Sequence, residues 1–108
     1  MLFRSENTVN YYSSVLAKMG SGQDDWLRLF MEPGMQHCNG GPGPDQFNAF
    51  GAMERWRESG IAPDRIVASH VTNNRVDMTR PLCPYPQVAK WTGTGSTNDG
   101  MNFVCKKP

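Results

Sequence analysis

Trp26-Leu-Arg-Leu-Phe-Met31 runs directly into Glu32-Pro-Gly-Met-Gln-His-Cys-Asn-Gly-Gly-Pro-Gly-Pro44, and then into Asp45-Gln-Phe-Asn48. The first six residues are apolar apart from Arg28, short and bounded by Pro33-Gly34, which reads as a strand buried on at least one face. From Pro33 to Pro44 there are four glycines and three prolines, a composition that forces a loop. Asp45 is a suitable N-cap for a helix to about Ser59, with Phe47, Phe50, Met53 and Trp56 on its apolar side and Gly60 as its stop. Strand, loop and helix in this order place His37 at the carboxyl edge of a sheet, where α/β proteins build their sites.

Outward from this unit the pattern continues. Val9, Tyr12 and Leu16 share one face at helical spacing, with Val15 beside them. They predict a helix over 6–18, capped by Ser5 and ended by Gly20. Residues 20–25 read as a polar loop and Ala62-Pro63-Asp64 as a turn, with a short strand over 65–69. The expected class is α/β, with helix, strand, His loop, helix and strand occupying residues 1–70. Residues 71–108 carry Pro81, Pro84, Pro86, Gly93, Gly95 and Gly100 and are expected to be an irregular tail with at most short strands. Its anchors would be Leu82, Tyr85, Val88, Trp91, Phe103 and Val104.

Composition narrows the function. The chain has 108 residues with an apolar fraction of 38%, which fits one small, loop-rich unit. Eleven basic against ten acidic side chains leave a net charge of +1, and Lys106-Lys107 is the sole basic cluster, so there is no footprint for nucleic acid. No apolar run approaches the roughly 18 residues of a membrane span. Met1-Leu-Phe-Arg-Ser5 has no apolar core segment or cleavage pattern and does not read as a signal peptide.

The candidates for chemistry are few. His37 could act as a general base, against the plainer reading of a surface-loop histidine. Cys38 follows it directly, but adjacent side chains diverge in an extended loop, and a buried or disulfide-bonded cysteine is the better reading. His37, Cys38, His70, Cys83 and Cys105 lack zinc-ligand spacing, so no metal site is expected. Asn39-Gly-Gly-Pro-Gly-Pro44 has no Lys-Ser/Thr after it, and its prolines remove amide donors, so it is not a phosphate loop. No serine lies in a Gly-x-Ser-x-Gly elbow, leaving a base without a nucleophile.

Two runs together carry a resemblance. Phe30-Met-Glu-Pro-Gly-Met-Gln-His-Cys-Asn-Gly-Gly-Pro-Gly-Pro-Asp-Gln-Phe47 and Arg80-Pro-Leu-Cys-Pro-Tyr-Pro86 resemble the carboxyl-terminal end of the tannase and feruloyl esterase family. Gly93-Thr-Gly95, Asn102-Phe-Val-Cys105 and Thr8-Val-Asn-Tyr-Tyr12 extend it over essentially the whole chain. The resemblance implies an α/β-hydrolase that cleaves esters of aromatic acids such as gallate or ferulate with a Ser, Asp, His triad. It assigns His37 as the triad base and Cys38 as half of a disulfide whose other half precedes the nucleophile, upstream. It implies a second disulfide between Cys83 and Cys105, stapling the tail.

The Ser, the Asp and the lid that holds a structural calcium in that family would all precede Met1. The chain itself is then expected to need no cofactor and to be inactive alone. The resemblance also implies a secreted or periplasmic location. An unpaired sheet edge offers a route to self-association. The alternatives are a non-catalytic interaction module or gene remnant, and a thiol or metal protein built on Cys38 and the histidines.

Overall fold

The computed structural model describes residues 5–37 and 39–108. Helix α1 spans Ser5–Met19 and helix α2 Ala49–Ser59. Strands β1 (Ile66–Thr72) and β2 (Arg75–Leu82) form one antiparallel pair, and β3 (Val88–Trp91) and β4 (Phe103–Lys106) a second, with a 3-10 turn at Gly100–Asn102 before β4.

Helix α1 forms as its spacing predicts. Tyr12 is buried and meets Tyr85 edge-on, with ring centroids 6.1 Å apart, while Val9, Val15 and Leu16 are half-buried around it. Gly20 takes a left-handed φ of 92° and donates to the Leu16 carbonyl at 2.8 Å, closing the helix. The cap expected at Ser5 falls outside the described side chains.

The strand expected over 26–31 is not one. Asp24 to Trp26 form a turn, with the Trp26 and Leu27 amides on the Gln23 carbonyl at 3.2 and 3.0 Å. Only Phe30 makes a bridge, to Pro84, and the Tyr85 amide donates to Leu29 at 2.6 Å. The opposing segment is Cys83-Pro-Tyr-Pro86, and its two prolines have no N–H with which to extend the ladder. Arg28, the odd residue in the apolar run, ties this segment to the next turn: its guanidinium reaches the Pro63 carbonyl at 2.9 Å and Asp64 at 3.2 Å.

Helix α2 starts three residues later than a cap at Asp45 predicts. Its N-cap is Asn48, whose side chain accepts from the Gly51 amide at 2.9 Å. Gly60 ends it as expected, at φ 72°. The predicted apolar side is largely uncovered within this chain: Phe47, Phe50 and Met53 are exposed, and Ala52 is the buried residue.

The region expected to be an irregular tail is mostly two hairpins. Strand β1 runs past residue 70, across the 70/71 boundary, and pairs with β2 through a turn at Asn73-Asn74. Both asparagines have positive φ, 51° and 63°, the backbone of a two-residue type I′ turn that matches strand twist. Pro81 is accommodated because each strand of a two-stranded pair is an edge, where alternate N–H groups face away from the partner.

The core gathers here. Ala68, Leu82, Cys83 and Phe103 are buried, and the Arg80 guanidinium lies 4.2 Å above the Phe103 ring. Cys83 and Cys105 are disulfide-bonded, with Cα atoms 5.6 Å apart. Residues 97–100 clip onto β2: Thr79 N–H donates to Asn98 at 2.9 Å, and its hydroxyl accepts from Gly100 N–H at 2.7 Å.

Candidate functional site

The Gly/Pro-rich loop is held by its own backbone. Gly43 N–H donates to Gly34 at 2.9 Å, and Gln36 N–H to Gly40 at 3.0 Å. Those closures bring chain segments so near that only glycine fits. A Cβ at Gly43 would fall on the Pro33 carbonyl oxygen, and one at Gly41 (φ 92°) on that of Gly34. Asp45, freed from the helix-capping role expected of it, braces the loop instead: its carboxylate accepts from Gly40 N–H at 2.7 Å. That bond chiefly holds its carboxyl below the usual range. The loop exit is stitched to β1, where Gln46 and Ser69 exchange two backbone bonds of 3.0 and 2.8 Å.

This frame presents His37 at the surface, exposed, on the bend between Gln36 and Asn39. Cys38, the expected disulfide half, lies outside the described residues. Of the remaining sequence candidates, Cys83 and Cys105 are joined to each other, and His70 is paired with Asp77 across the β1–β2 hairpin. No group of three or more His, Cys, Asp or Glu among the described residues could hold a metal ion, and no described helix is long and apolar enough to cross a membrane.

Two features of this neighbourhood were missed in the sequence. The first is Glu32, at the loop entrance. Neither of its carboxylate oxygens has a hydrogen-bonding partner among the described residues, and both are shielded from solvent. Burial, with a smaller contribution from nearby Asp45, pushes its pKa up from 4.5 to about 7. Well below pH 4.5 the carboxyl is neutral in both folded and unfolded chains, so its ionisation adds no cost. Between 4.5 and 7 only the unfolded chain ionises freely, and stability falls as pH rises. Glu32→Gln should remove that loss: little change in melting near pH 4, and a gain of about 1 kcal/mol near pH 8 once solvent screening of a half-buried side chain is allowed for. Thermal melts of both proteins across this range check it; equal melting at pH 8 would contradict the burial argument.

The second is the pair His70–Asp77. The register of β1 and β2 slips between His70 and Val71, so that Val71 faces Val76 but His70 faces Met78. Asp77 is the extra residue of this bulge, and a bulge re-aims a side chain. One Asp77 oxygen meets His70 Nδ1 at 2.6 Å and the other accepts from the Thr72 hydroxyl at 2.7 Å.

With the loop, its exposed histidine and the stapled tail in place, comparison with known proteins is decisive. Residues 3–106 match the family model described as tannase and feruloyl esterase. The chain belongs to the tannase and feruloyl esterase family. A mono(2-hydroxyethyl) terephthalate hydrolase of Piscinibacter sakaiensis is 43% identical over 109 residues, which cover 98% of this chain and 18% of the relative. Among solved structures, an esterase from Aspergillus oryzae superposes with a TM-score of 0.86 at 33% identity, over 97% of this chain and 25% of its own. Feruloyl esterase B of the same organism gives 0.79 at 29% identity, over 94% and 24%. This tannase-family chain therefore spans about a fifth to a quarter of the length of the proteins it matches.

Proposed function

We propose that this chain supplies the general base, His37, of a Ser-Asp-His triad in a carboxylic ester hydrolase that acts on esters of aromatic acids. The observation that carries the reading is the exposed His37 on a loop whose glycines, Asp45 brace and Gln46–Ser69 stitch fix its course, in a chain of this family. The nucleophile and the acid would come from other segments. His37 takes the proton of the serine hydroxyl as it attacks the ester carbonyl, and delivers it to the departing alkoxide. It then takes a proton from the water that attacks the acyl-enzyme and returns it to the serine oxygen. Cys38 would bond to the cysteine preceding that serine and so hold base and nucleophile together.

Further support comes from the surface. Trp26, Phe47, Phe50, Met53 and Ile61 are all exposed, more large apolar area than an isolated small domain normally shows to water. A larger α/β-hydrolase sheet packed on α2 would cover it. The Cys83–Cys105 disulfide fits an oxidising, exported setting.

The test is a chimera. The chain replaces the matching segment of the Piscinibacter sakaiensis hydrolase, and turnover of its terephthalate monoester, of methyl ferulate and of methyl gallate is measured. The 108 residues alone are expected to show no turnover. The chimera is expected to hydrolyse at least one of these esters; a folded, monodisperse chimera inactive on all three would sink the reading.

A further inference from the structure

In two places the sequence sets a glycine directly after Asn or Asp: Asn39-Gly40 and Asp99-Gly100. Such pairs are chemically labile. Glycine has no side chain to hinder approach, so its backbone nitrogen can reach the preceding side-chain carbonyl carbon and close a cyclic imide. In the folded chain both glycine nitrogens are occupied. Gly100 is buried and donates to the Thr79 hydroxyl at 2.7 Å, while the Asp99 carboxylate accepts from Met101 N–H at 2.9 Å. Gly40 N–H donates to the Asp45 carboxylate at 2.7 Å. Asn39 itself is exposed, two residues from His37.

We propose that Asn39 is a site of spontaneous modification, deamidating through a cyclic imide formed with the Gly40 nitrogen, and that the Asp45–Gly40 hydrogen bond sets its rate. The Gly40 nitrogen loses its proton and bonds to Asn39 Cγ; the Cγ–Nδ2 bond breaks and the amide leaves as ammonia with that proton. Water then opens the ring at either carbonyl and restores the Gly40 N–H. The product is aspartate, or isoaspartate with the main chain rerouted through Cβ and Cγ.

The Asp45 bond opposes the first step twice. It aims the Gly40 N–H at a partner other than Asn39, and it sets a carboxylate against the nitrogen anion that attack requires. This bond chiefly holds the Asp45 carboxyl below its usual range, so the brace is charged throughout neutral solution. The loop cannot escape the hazard by replacing Gly40, whose φ of 80° lies where other residues are strained.

Isoaspartate would add a carbon to the main chain inside the closure from Gln36 N–H to the Gly40 carbonyl, the 3.0 Å bond that encloses His37. Either product places a new carboxylate two residues from that ring. The consequence for catalysis, a slow loss of activity with age, rests on the reading of His37 as the triad base. The chemistry at Asn39 does not.

The test therefore uses no substrate. The purified chain is incubated at mildly alkaline pH, with and without urea, and its peptides are followed by mass spectrometry and by chromatography that separates isoaspartate. Folded parent is expected to convert Asn39 slowly, and parent in urea about ten- to a hundredfold faster, the worth of one charge-assisted hydrogen bond. Asp45→Ala, without urea, should approach the urea rate at Asn39. Asp45→Asn, which keeps a neutral acceptor, should fall between. Isomerisation of Asp99 in the same samples reports on the rest of the fold, because Thr79 guards it independently of Asp45; it should stay slow in both variants and rise in urea. Asn39→Gln should stay unmodified under all conditions. An Asn39 that reacts no faster in urea than in the folded parent, or one that both Asp45 variants leave at the parent rate, would overturn the proposal. An inactive chimera would leave it standing, and its failure would leave the esterase reading standing.

Discussion

In the chimeric hydrolase, His37→Ala should lower kcat/KM by about 10⁴- to 10⁶-fold, the range seen when a triad base is removed. The size follows from the role. Without a base the serine hydroxyl is a poor nucleophile, and the leaving alkoxide departs unprotonated. The loss should fall on kcat with KM little changed, because an imidazole that moves protons binds the transition state, not the ground state. The loop should survive the change, since its closures run through Gly34, Gln36, Gly40 and Gly43 and the Asp45 carboxylate. Circular dichroism identical to the parent would establish that. A loss below about tenfold would remove His37 from the chemistry.

The second large effect concerns stability. Cys83→Ser, or Cys105→Ser, should destabilise the chain by about 3 kcal/mol, the chain-entropy value for a bridge closing a loop of this length. The bridge spans 22 positions, and Cys83 is buried. On a domain this small the loss should lower Tm by roughly 15 °C. The double variant should lose no more than either single one, because each removes the same bond. Urea denaturation of the three variants, with the parent in and out of reductant, decides it. A parent indifferent to reductant would show that the bridge contributes nothing.

How much of this was legible beforehand depended on whether a residue's partner was local. Helix α1 was legible from Val9, Tyr12 and Leu16, and the end of α2 from Gly60, because both signals act within a turn or two. The start of α2 was not. Asp45 and Asn48 are both good caps, and which one serves depends on Gly40 lying within reach of Asp45, a contact made by the folded loop. Residues 26–31 have the composition of a strand but meet prolines, and a strand is defined by its neighbour. The hairpins were hidden by their Pro and Gly content, although Asn73-Asn74 followed by apolar Val76, Met78 and Leu82 at alternate positions was a readable signal.

The site divides in the same way. His37 stood out by its setting among glycines and prolines, but its role came from resemblance, since no nucleophile or acid could be matched to it. The Cys83–Cys105 pairing, implied by that resemblance, is present. The His70–Asp77 pair was out of reach: an inserted residue in β2 creates it, and such an insertion leaves no periodic trace.

The bridge has one more consequence. Residues 83–105 form a covalent ring, and inside that ring lie β3, the 3-10 turn and most of β4. A protease that nicks the exposed stretch around Gly93 opens the ring without releasing either piece. The β3–β4 ladder then acts as a splint across the cut, and the sulfur atoms keep both ends in one molecule. Such a chain can be cut once in that stretch and still hold its shape.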